Sequence, residues 1–208
     1  MKTSRGFTLV SKACQGFTLV ELLIVISLLS AIALTVIAAI NPLEQANRAR
    51  DTRYKADAGQ LISAIDRYFA ARSEFPWVTS GAGVLTNDSA FGFVKANDVG
   101  VGLCGDAACS TVGTLISADE LKTEFKNRDF IRKAALEEQS LFLGKAEGAS
   151  ASIYACFIPM SKSVRKSAVT DLKVYTIDTA SGARTSTSIC NADSANWITS
   201  HCYVCIPE

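Results

Sequence analysis

The sequence predicts an α+β fold, in which a long N-terminal α-helix, apolar in its first half and amphipathic in its second, packs on a C-terminal antiparallel β-sheet. Three patterns in the 208 residues lead to this prediction. An apolar run comes first, a stretch with helical periodicity follows it, and short runs of β-forming residues come last. An amphipathic helix on one face of an antiparallel sheet buries the apolar side of both.

The apolar run is the clearest of these patterns. From Phe17 to Ile40, the only ionisable side chain is that of Glu21. As an α-helix the run would be about 36 Å long, enough to cross a hydrocarbon core of roughly 30 Å with some tilt. An ordinary secretory signal has an apolar region of only about 7 to 15 residues, so the length favours a membrane-spanning helix.

The charge distribution argues against one class of partner. Residues 1–16 hold three of the 21 basic residues and none of the 20 acidic ones, so the rest of the chain has a net charge of −2. A slightly acidic chain has no general attraction to nucleic acid, and none is expected as a partner. Both flanks of the apolar run are net positive, so charge alone does not orient the run.

The N-terminal boundary of the run carries a motif. Residues 16–26 read Gly-Phe-Thr-Leu-Val-Glu-Leu-Leu-Ile-Val-Ile, which closely resembles the type IV prepilin signature shared by type IV pilins and type II secretion pseudopilins. A plain signal anchor would fit the length of the run but gives no reason for this motif. The resemblance covers the leader and roughly the first third of the chain, and the cysteine-rich remainder has no motif that assigns a subfamily.

The resemblance implies that a prepilin peptidase cuts between Gly16 and Phe17 and methylates the new Phe17 amine. It also implies that Glu21, fifth after the cut, pairs with the Phe17 amine of a neighbouring subunit during assembly. A carboxylate among apolar side chains costs several kcal/mol without a partner, so this pairing would set a register and favour docking. The alternative is an acid near the start of a membrane helix, stabilised by the helix dipole.

These boundaries divide the chain into four segments. Residues 1–16 are expected to be a cleaved basic leader, and 17–40 a transmembrane helix that becomes the filament core. Residues 41–75 are expected to be the amphipathic half of the helix, and 76–208 a disulfide-containing globular head. Within the leader, residues 6–10 repeat the pentapeptide Gly-Phe-Thr-Leu-Val, but a cut there would place a serine fifth, so we interpret this copy as inert.

Pro42 has two interpretations. With Asn41 as N-cap, Pro42 would take the first position of a new helix. Inside a continuous helix it would instead remove one backbone hydrogen bond and kink the rod. We favour the kink, because the resemblance implies one long helix with a weak point there.

The second pattern, residues 43–73, predicts an amphipathic helix that faces a core and ends near Phe75 and Pro76. Its apolar positions recur at steps of three and four: Tyr54, Ala58, Leu61, Ile65, Tyr68 and Phe69. Residues 77–115 are predicted to be an irregular connection. A capping-box pattern at Ser117–Glu120 predicts a second helix that runs to about Glu138.

The third pattern predicts an antiparallel sheet. β-forming runs span Ser152–Ile158, Leu172–Asp178 and Ala183–Ile189. Residues 179–182 would join the last two runs as a hairpin, and Tyr203–Ile206 would add an edge strand.

Six cysteines follow the apolar run, and an even number beyond an export signal suggests disulfides formed in an oxidising space. Six thiols allow 15 pairings. We prefer Cys104 with Cys109, and Cys156 with one of the C-terminal pair, which would close about 50 residues and contribute roughly 4 kcal/mol. The candidates are Cys104, Cys109, Cys156, Cys190, Cys202 and Cys205, whereas Cys14 lies apart on the other side of the run.

Other chemistry has weaker signals. His201-Cys202-x-x-Cys205 contains zinc-ligand types, but no second tight pair completes a site, and a strand would direct His201 and Cys202 to opposite faces, which disfavours a protease pair. Lys162, Arg165 and Lys166 are interpreted as a solvated turn rather than a nucleic-acid patch. The acidic and amide residues Asp171, Asp178, Asn191 and Asp193 lack the spacing of a compact calcium loop.

We therefore expect a structural subunit of a type IV pilus-like surface filament, with no catalytic activity, no cofactor and no metal site. The expected partners are copies of itself, other pilin-like subunits, prepilin peptidase, the pilus or secretion assembly machinery and the membrane. Before assembly it would be a single-pass membrane protein, and its head would be extracytoplasmic. Two alternatives stay open: a type II secretion pseudopilin, and a membrane-anchored metal-binding or enzymatic module that uses the cysteine-rich head.

Overall fold

The computed structural model describes residues 16–208 except Ile40, residues 80–84, Ala135 and Ser194. Most of the expected leader, including Cys14 and the first copy of the pentapeptide, lies outside the described residues. The chain divides into two compact units between Pro42 and Leu43. The first unit contains helix α1 (Leu19–Ala39), and the second contains the whole sheet and is called the head below.

Helix α2 (Pro42–Arg72) supplies the amphipathic stripe that the sequence predicts. It ends because Ser73 takes a left-handed φ of 58° and donates its N–H to the Phe69 carbonyl at 2.7 Å, which closes the last turn. A short helix, α3 (Pro76–Thr79), begins at the proline where the helical pattern stops. The apolar residues of α2 that face the core are Tyr54, Ala58, Leu61, Ala64, Ile65 and Tyr68.

A four-stranded antiparallel sheet lies at the centre of the head, and with α2 it confirms the predicted α+β class. Its strand order is β1–β2–β3–β6, so the last strand of the chain pairs with β3 at an edge. The strands are β1 (Phe91–Lys95), β2 (Phe142–Lys145), β3 (Ile153–Phe157) and β6 (Val204–Ile206).

The two faces of the sheet contact different partners. On β3, Ile153, Ala155 and Phe157 join the cluster formed with α2, while Cys156 joins a second cluster on the opposite face. This alternation follows from the two-residue period of a strand. The sheet is therefore covered on both sides, by α2 on one and by C-terminal segments on the other.

An aromatic stack fills the end of the α2 core. The rings of Phe69, Phe75, Trp77 and Phe91 follow one another with centroid separations of 4.3, 4.5 and 4.4 Å. Each ring contributes a large apolar area, so the stack joins the end of α2 and α3 to strand β1.

The prediction of irregular structure over residues 77–115 missed β1, and β2 was also missed. Strand β1 lies within a stretch rich in Gly, Ser, Asn and Asp, and it contains Gly92. Strand β2 is four residues long and buried at every position, so it shows no alternation of apolar and polar residues. Strand β2 therefore lacks the two-residue period that predicts a strand, and β1 shows it only from Phe91 to Phe93.

The predicted second helix from Ser117 to about Glu138 is wrong. Ser117 is the last residue of a short helix, α4 (Thr114–Ser117), and Asp119 has a φ of 60°, which breaks the helical path. A 3₁₀ turn (Thr123–Asn127) and a further short helix, α5 (Asp129–Arg132), follow. Leu121, Phe125, Phe130, Ile131 and Ala134 were the predicted apolar positions of that helix; the last four are nevertheless buried, and Leu121 is half-buried.

The basic cluster predicted as a turn is also helical, which is a second correction. Helix α6 (Lys162–Thr170) begins after Ser161, whose Oγ accepts the Val164 N–H at 3.4 Å. A serine at this position is a typical helix N-cap, so the sequence does contain a signal for the start of α6.

The predicted hairpin is present as β4 (Tyr175–Ile177) and β5 (Arg184–Ser186). Its turn docks against the four-stranded sheet, where the Phe93 N–H donates to the Asp178 carbonyl at 3.2 Å. Gly182, at a φ of 65°, lies so close to the sheet that a Cβ there would be 2.1 Å from the Lys145 carbonyl oxygen. The turn therefore requires glycine for both conformation and space.

We expect Gly182→Ala to lower the free energy of unfolding of the head by more than about 2 kcal/mol, because a positive φ costs about 1 kcal/mol and the clash adds to it. Gly148→Ala is the matched control, since Gly148 has a φ of 106° but no atom within 4 Å of its Cβ position. Near-ultraviolet circular dichroism of Trp77 and Trp197 would follow the unfolding of the head. Equal losses in the two variants would contradict this account of the turn.

Candidate assembly site

The start of α1 is set by a hydrogen-bonded cap. The Thr18 carbonyl accepts the Leu22 N–H at 3.1 Å, and the Thr18 hydroxyl oxygen accepts the Glu21 N–H at 3.2 Å. Thr18 is therefore the N-cap, and Glu21 occupies the third helical position, where a helix dipole favours a carboxylate. The Thr18 hydroxyl also lies 3.4 Å from Glu21 Oε2, at the long end of a hydrogen bond.

The predicted cleavage bond lies just before this cap. Gly16 and Phe17 are outside the helix, and the Phe17 side chain is 79% exposed. A Cβ built on Gly16 would meet no atom within 4 Å. Among the described residues, packing therefore places no demand for glycine at this position.

Helix α1 is apolar around its whole circumference. Among the described residues, the segment Leu19–Ile37 is the one helix long and apolar enough to cross a membrane, and none of it is buried within the chain. Large side chains on every face, from Leu19 to Ile37, are about half to four-fifths exposed. Such a helix is unsuited to water and fits lipid or a bundle of similar helices.

The few polar groups of α1 are satisfied within the helix. Ser27 donates its hydroxyl to the Ile24 carbonyl at 2.8 Å, and Ser30 donates to the Ile26 carbonyl at 2.7 Å. Thr35 makes the equivalent bond to a carbonyl one turn back, also at 2.8 Å. This arrangement removes the cost of placing hydroxyls in hydrocarbon, and leaves Glu21 as the only ionisable group of the helix.

Pro42 is the first residue of α2, and α1 ends at Ala39. Pro42 thus takes the N-terminal helical position that one of the two interpretations assigned to it. Ile40 lies outside the described residues, and the kink stays a prediction.

Three disulfides hold the head together, and they connect all six cysteines that follow the apolar run. Cys104 is bonded to Cys109, and Cys156 to Cys205, in agreement with the preferred pairings. The third bond, Cys190–Cys202, joins the two cysteines that remain. Cys156 and Cys205 stand directly opposite each other on β3 and β6, so this bond fixes the edge strand covalently.

The residues of the alternative zinc site have other bonding partners. Cys202 and Cys205 belong to different disulfides, so neither provides a thiolate for metal in this structure. His201 is exposed, and its Nδ1 lies 2.8 Å from Glu137 Oε1, which also accepts the Tyr203 hydroxyl. Burial and this carboxylate raise the pKa of Tyr203.

Two of the candidate calcium residues, Asp178 and Asp171, accept local hydrogen bonds. Asp178 accepts the Ser181 hydroxyl and the Ala180 N–H inside the hairpin turn, the latter at 2.8 Å, and these two bonds hold the pKa of Asp178 below its ordinary value. Asp171 accepts the Ser167 hydroxyl at 3.2 Å at the end of α6. Within the part of the chain that the structure describes, no group of three His, Cys, Asp or Glu residues is positioned to hold a metal ion.

A polar contact that the sequence did not predict, which we call the α2–α6 junction, is formed by Glu44 and Asp51 with residues 160–163. Glu44 accepts the Ser161 hydroxyl at 2.6 Å and the N–H groups of residues 162 and 163, both at 3.1 Å. Asp51 is fully buried and accepts the N–H groups of residues 160 and 161 at 3.0 and 2.8 Å. Two carboxylates of α2 thereby satisfy the free amides at the start of α6.

The two acids of the junction are shifted in opposite directions. The Ser161 hydroxyl and the two backbone amides hold the pKa of Glu44 below its ordinary value of 4.5. Burial raises the pKa of Asp51, although the amides of Ser161 and Met160 act against that rise. Glu44 is therefore the acid whose ionised form stabilises the fold as the pH rises.

The fold and the helix start define a protein with a membrane-capable N-terminal helix and an oxidised α+β head. The family model described as the prokaryotic N-terminal methylation motif matches residues 11–37, the segment that carries the type IV prepilin and pseudopilin signature. The predicted resemblance is thereby confirmed over this segment. No curated protein and no solved structure matches the chain.

We expect Glu44→Ala to destabilise the head by about 1–2 kcal/mol at pH 7, because three hydrogen bonds to a carboxylate are lost. The folded pKa of Glu44 is lowered, so its contribution is complete above about pH 4.5 and disappears as the pH falls through the folded value. Urea unfolding from pH 7 to pH 3 would measure this difference.

Glu147→Ala is the control for this variant, since Glu147 is exposed and in no ion pair that the structure describes. Asp51 is present in both proteins, so the difference between wild type and Glu44→Ala isolates the Glu44 contribution. A difference between the two proteins that stays constant down to pH 3 would exclude the ionised Glu44 as the cause.

Proposed function

We propose that this chain is a structural subunit of a type IV pilus-like surface filament, assembled through α1 after a prepilin peptidase cuts between Gly16 and Phe17. One observation carries the proposal. Within the part of the chain that the structure describes, an exposed bond and a capped helix start precede an apolar helix that carries a single acid and that no other segment buries. The N-terminal methylation motif covers the same residues.

The proposed mechanism is assembly rather than catalysis, since proteins with this signature are structural. In a bilayer, the apolar side chains of α1 contact lipid tails that are as apolar as they are, so polar pairing and packing must drive association. Once a subunit leaves the bilayer, only other α1 helices can cover those side chains. Repeated head-to-tail contacts that do not close into a ring then produce a filament, with the helices inside and the heads outside.

Glu21 supplies the polar pairing in this proposal. Among the described residues its carboxylate makes one long contact, to Thr18, and its neighbours along the helix are apolar. The methylated Phe17 amine of a second copy would carry the opposite charge, and the pairing would lower the cost of a carboxylate in hydrocarbon. The pairing would also fix the register between neighbouring copies.

The proposed division of the chain follows from this mechanism. Residues 1–16 are removed, and 17–40 span the membrane and later form the filament core. Residues 41–75 continue from that core as the amphipathic helix of the head. Residues 76–208 complete the head, which would lie outside the cytoplasm. This location suits the three disulfides, because such bonds persist in oxidising compartments.

We expect the protein recovered from its native membrane to begin at Phe17 and to carry a methyl group on the Phe17 amine, as measured by mass spectrometry. Gly16→Val should block this processing and leave the stability of the head unchanged, because the chain has room for a side chain at residue 16. A native protein that still begins at Met1 would end the proposal.

A comparison of two variants separates the charge of Glu21 from its position in the helix cap. Glu21→Gln keeps a capping side chain but removes the charge, so it should be processed and inserted yet yield few filaments. Thr18→Ala removes the cap hydroxyl and keeps the charge, so assembly should continue. The filament yield is the amount of subunit in filaments sheared from cells divided by the amount left in the membrane. Ser27→Ala serves as a neutral substitution in the same helix.

Normal filament yield from Glu21→Gln would refute the pairing. The signature is common to pilins and secretion pseudopilins, so deletion of the chain is the test between them. Our proposal expects surface filaments to disappear while protein export continues. Loss of export with no filament to recover would assign the chain to a secretion system instead.

A further inference from the structure

The head has an uneven charge distribution. Residues 43–55 and 161–173 together hold eight basic and three acidic side chains, whereas the rest of the head holds ten basic and sixteen acidic ones. These two segments are the start of α2 and helix α6 with its flanks, and the α2–α6 junction joins them directly. The positive charge is therefore gathered in one part of a head that is otherwise negative.

Three cations of this region form what we call the α6 basic patch: Arg48, Lys162 and Lys166. Arg48 donates from Nε to Ser163 Oγ at 2.6 Å, which places its guanidinium at the first turn of α6. Lys162 and Lys166 are exposed and lie one turn apart on the same helix face. No ion pair to either lysine side chain appears within the described residues.

Several other charges near the patch have partners. Glu44 faces Arg48 at 3.7 Å and is used by the α6 amides. Lys55 and Lys173 share the Glu208 carboxylate at 3.4 and 2.5 Å. Two further groups point inward: Asp51 is buried in the junction, and Arg165 donates to the Pro159 carbonyl at 2.8 Å beneath the helix.

Chain length restricts where the patch can be. Ile37 ends the segment that is apolar enough to span a membrane, and Glu44 follows seven residues later. Seven residues reach at most about 25 Å when fully extended, and far less where they are helical. Because Glu44 holds the amide of Lys162, the short connection allows the patch to reach the headgroup layer, which extends about 5–7 Å beyond the hydrocarbon core.

We propose that the α6 basic patch binds anionic phospholipid headgroups while the subunit waits in the membrane. This inference rests on the membrane insertion of α1 in the proposed function. A basic side chain near an anionic surface gains an interaction equivalent to about fivefold in an equilibrium constant. The two unpaired lysines and Arg48 would hold the head against the bilayer, and the contact would be lost when the subunit enters a filament.

The test measures the reactivity of the lysines in the full-length mature chain, placed at one copy per lipid nanodisc. One set of discs contains phosphatidylcholine, and the other contains phosphatidylcholine with one-third phosphatidylglycerol. An uncharged acylating reagent labels exposed amines, and mass spectrometry gives the rate at each lysine. Lys122 and Lys133 serve as internal controls, because both are exposed and lie outside the patch.

We expect Lys162 and Lys166 to react about fivefold more slowly in the anionic discs, with no change at the two controls. Molar salt, which shortens the Debye length to about 3 Å, should remove the difference. Equal rates in the two kinds of disc would overturn the inference, as would an equal slowing at patch and control lysines.

A second copy of the chain is the competing occupant of the patch. Slower labelling in neutral discs only when they hold two copies would overturn the lipid inference and assign the patch to contact between heads. Filament yield from the double variant K162Q/K166Q separates this inference from the proposed function. The yield should match wild type if the patch acts only in the membrane, and a large loss would overturn that role.

Discussion

The requirement that every polar group find a partner in hydrocarbon governs this molecule. Helix α1 meets it for its backbone by being helical and for its hydroxyls by internal hydrogen bonds. Glu21 is the exception, because no cation faces it within one copy of the chain that the structure describes. A lone carboxylate at the start of an apolar helix is costly by itself and becomes favourable only beside a cation. That asymmetry is the physical basis for the self-association that we propose.

Helix α2 has a different task, because it belongs to a head that must be stable in water. Its apolar stripe covers one face of the sheet. Its acids Glu44 and Asp51 accept hydrogen bonds from the backbone at the start of α6. The same helix therefore provides both the core and the polar contact that places the basic residues of α6. Three disulfides add covalent constraints to a head whose strands are only three to five residues long.

The long-period features of the fold could be predicted from the sequence, and the short ones could not. The apolar run is continuous, and the stripe from Tyr54 to Tyr68 repeats over several helical turns, so both patterns are unambiguous. Strand β2 is four residues with all positions buried, and it has no period to detect. The capping-box pattern at Ser117 failed because Asp119 adopts a positive φ, which local sequence does not reveal. The Glu44 contact with residues more than a hundred positions away was equally invisible.

The position of β6 has a consequence for biogenesis. This strand pairs with β3 although Cys156 and Cys205, which stand opposite each other in the pair, are separated by 49 positions in the sequence. Until that distant segment has been made and has docked, one edge of β3 has no neighbour. Cys156 is then a thiol beside an open strand edge, which favours mispairing and aggregation. Docking of β6 and oxidation of Cys156 with Cys205 remove both hazards together.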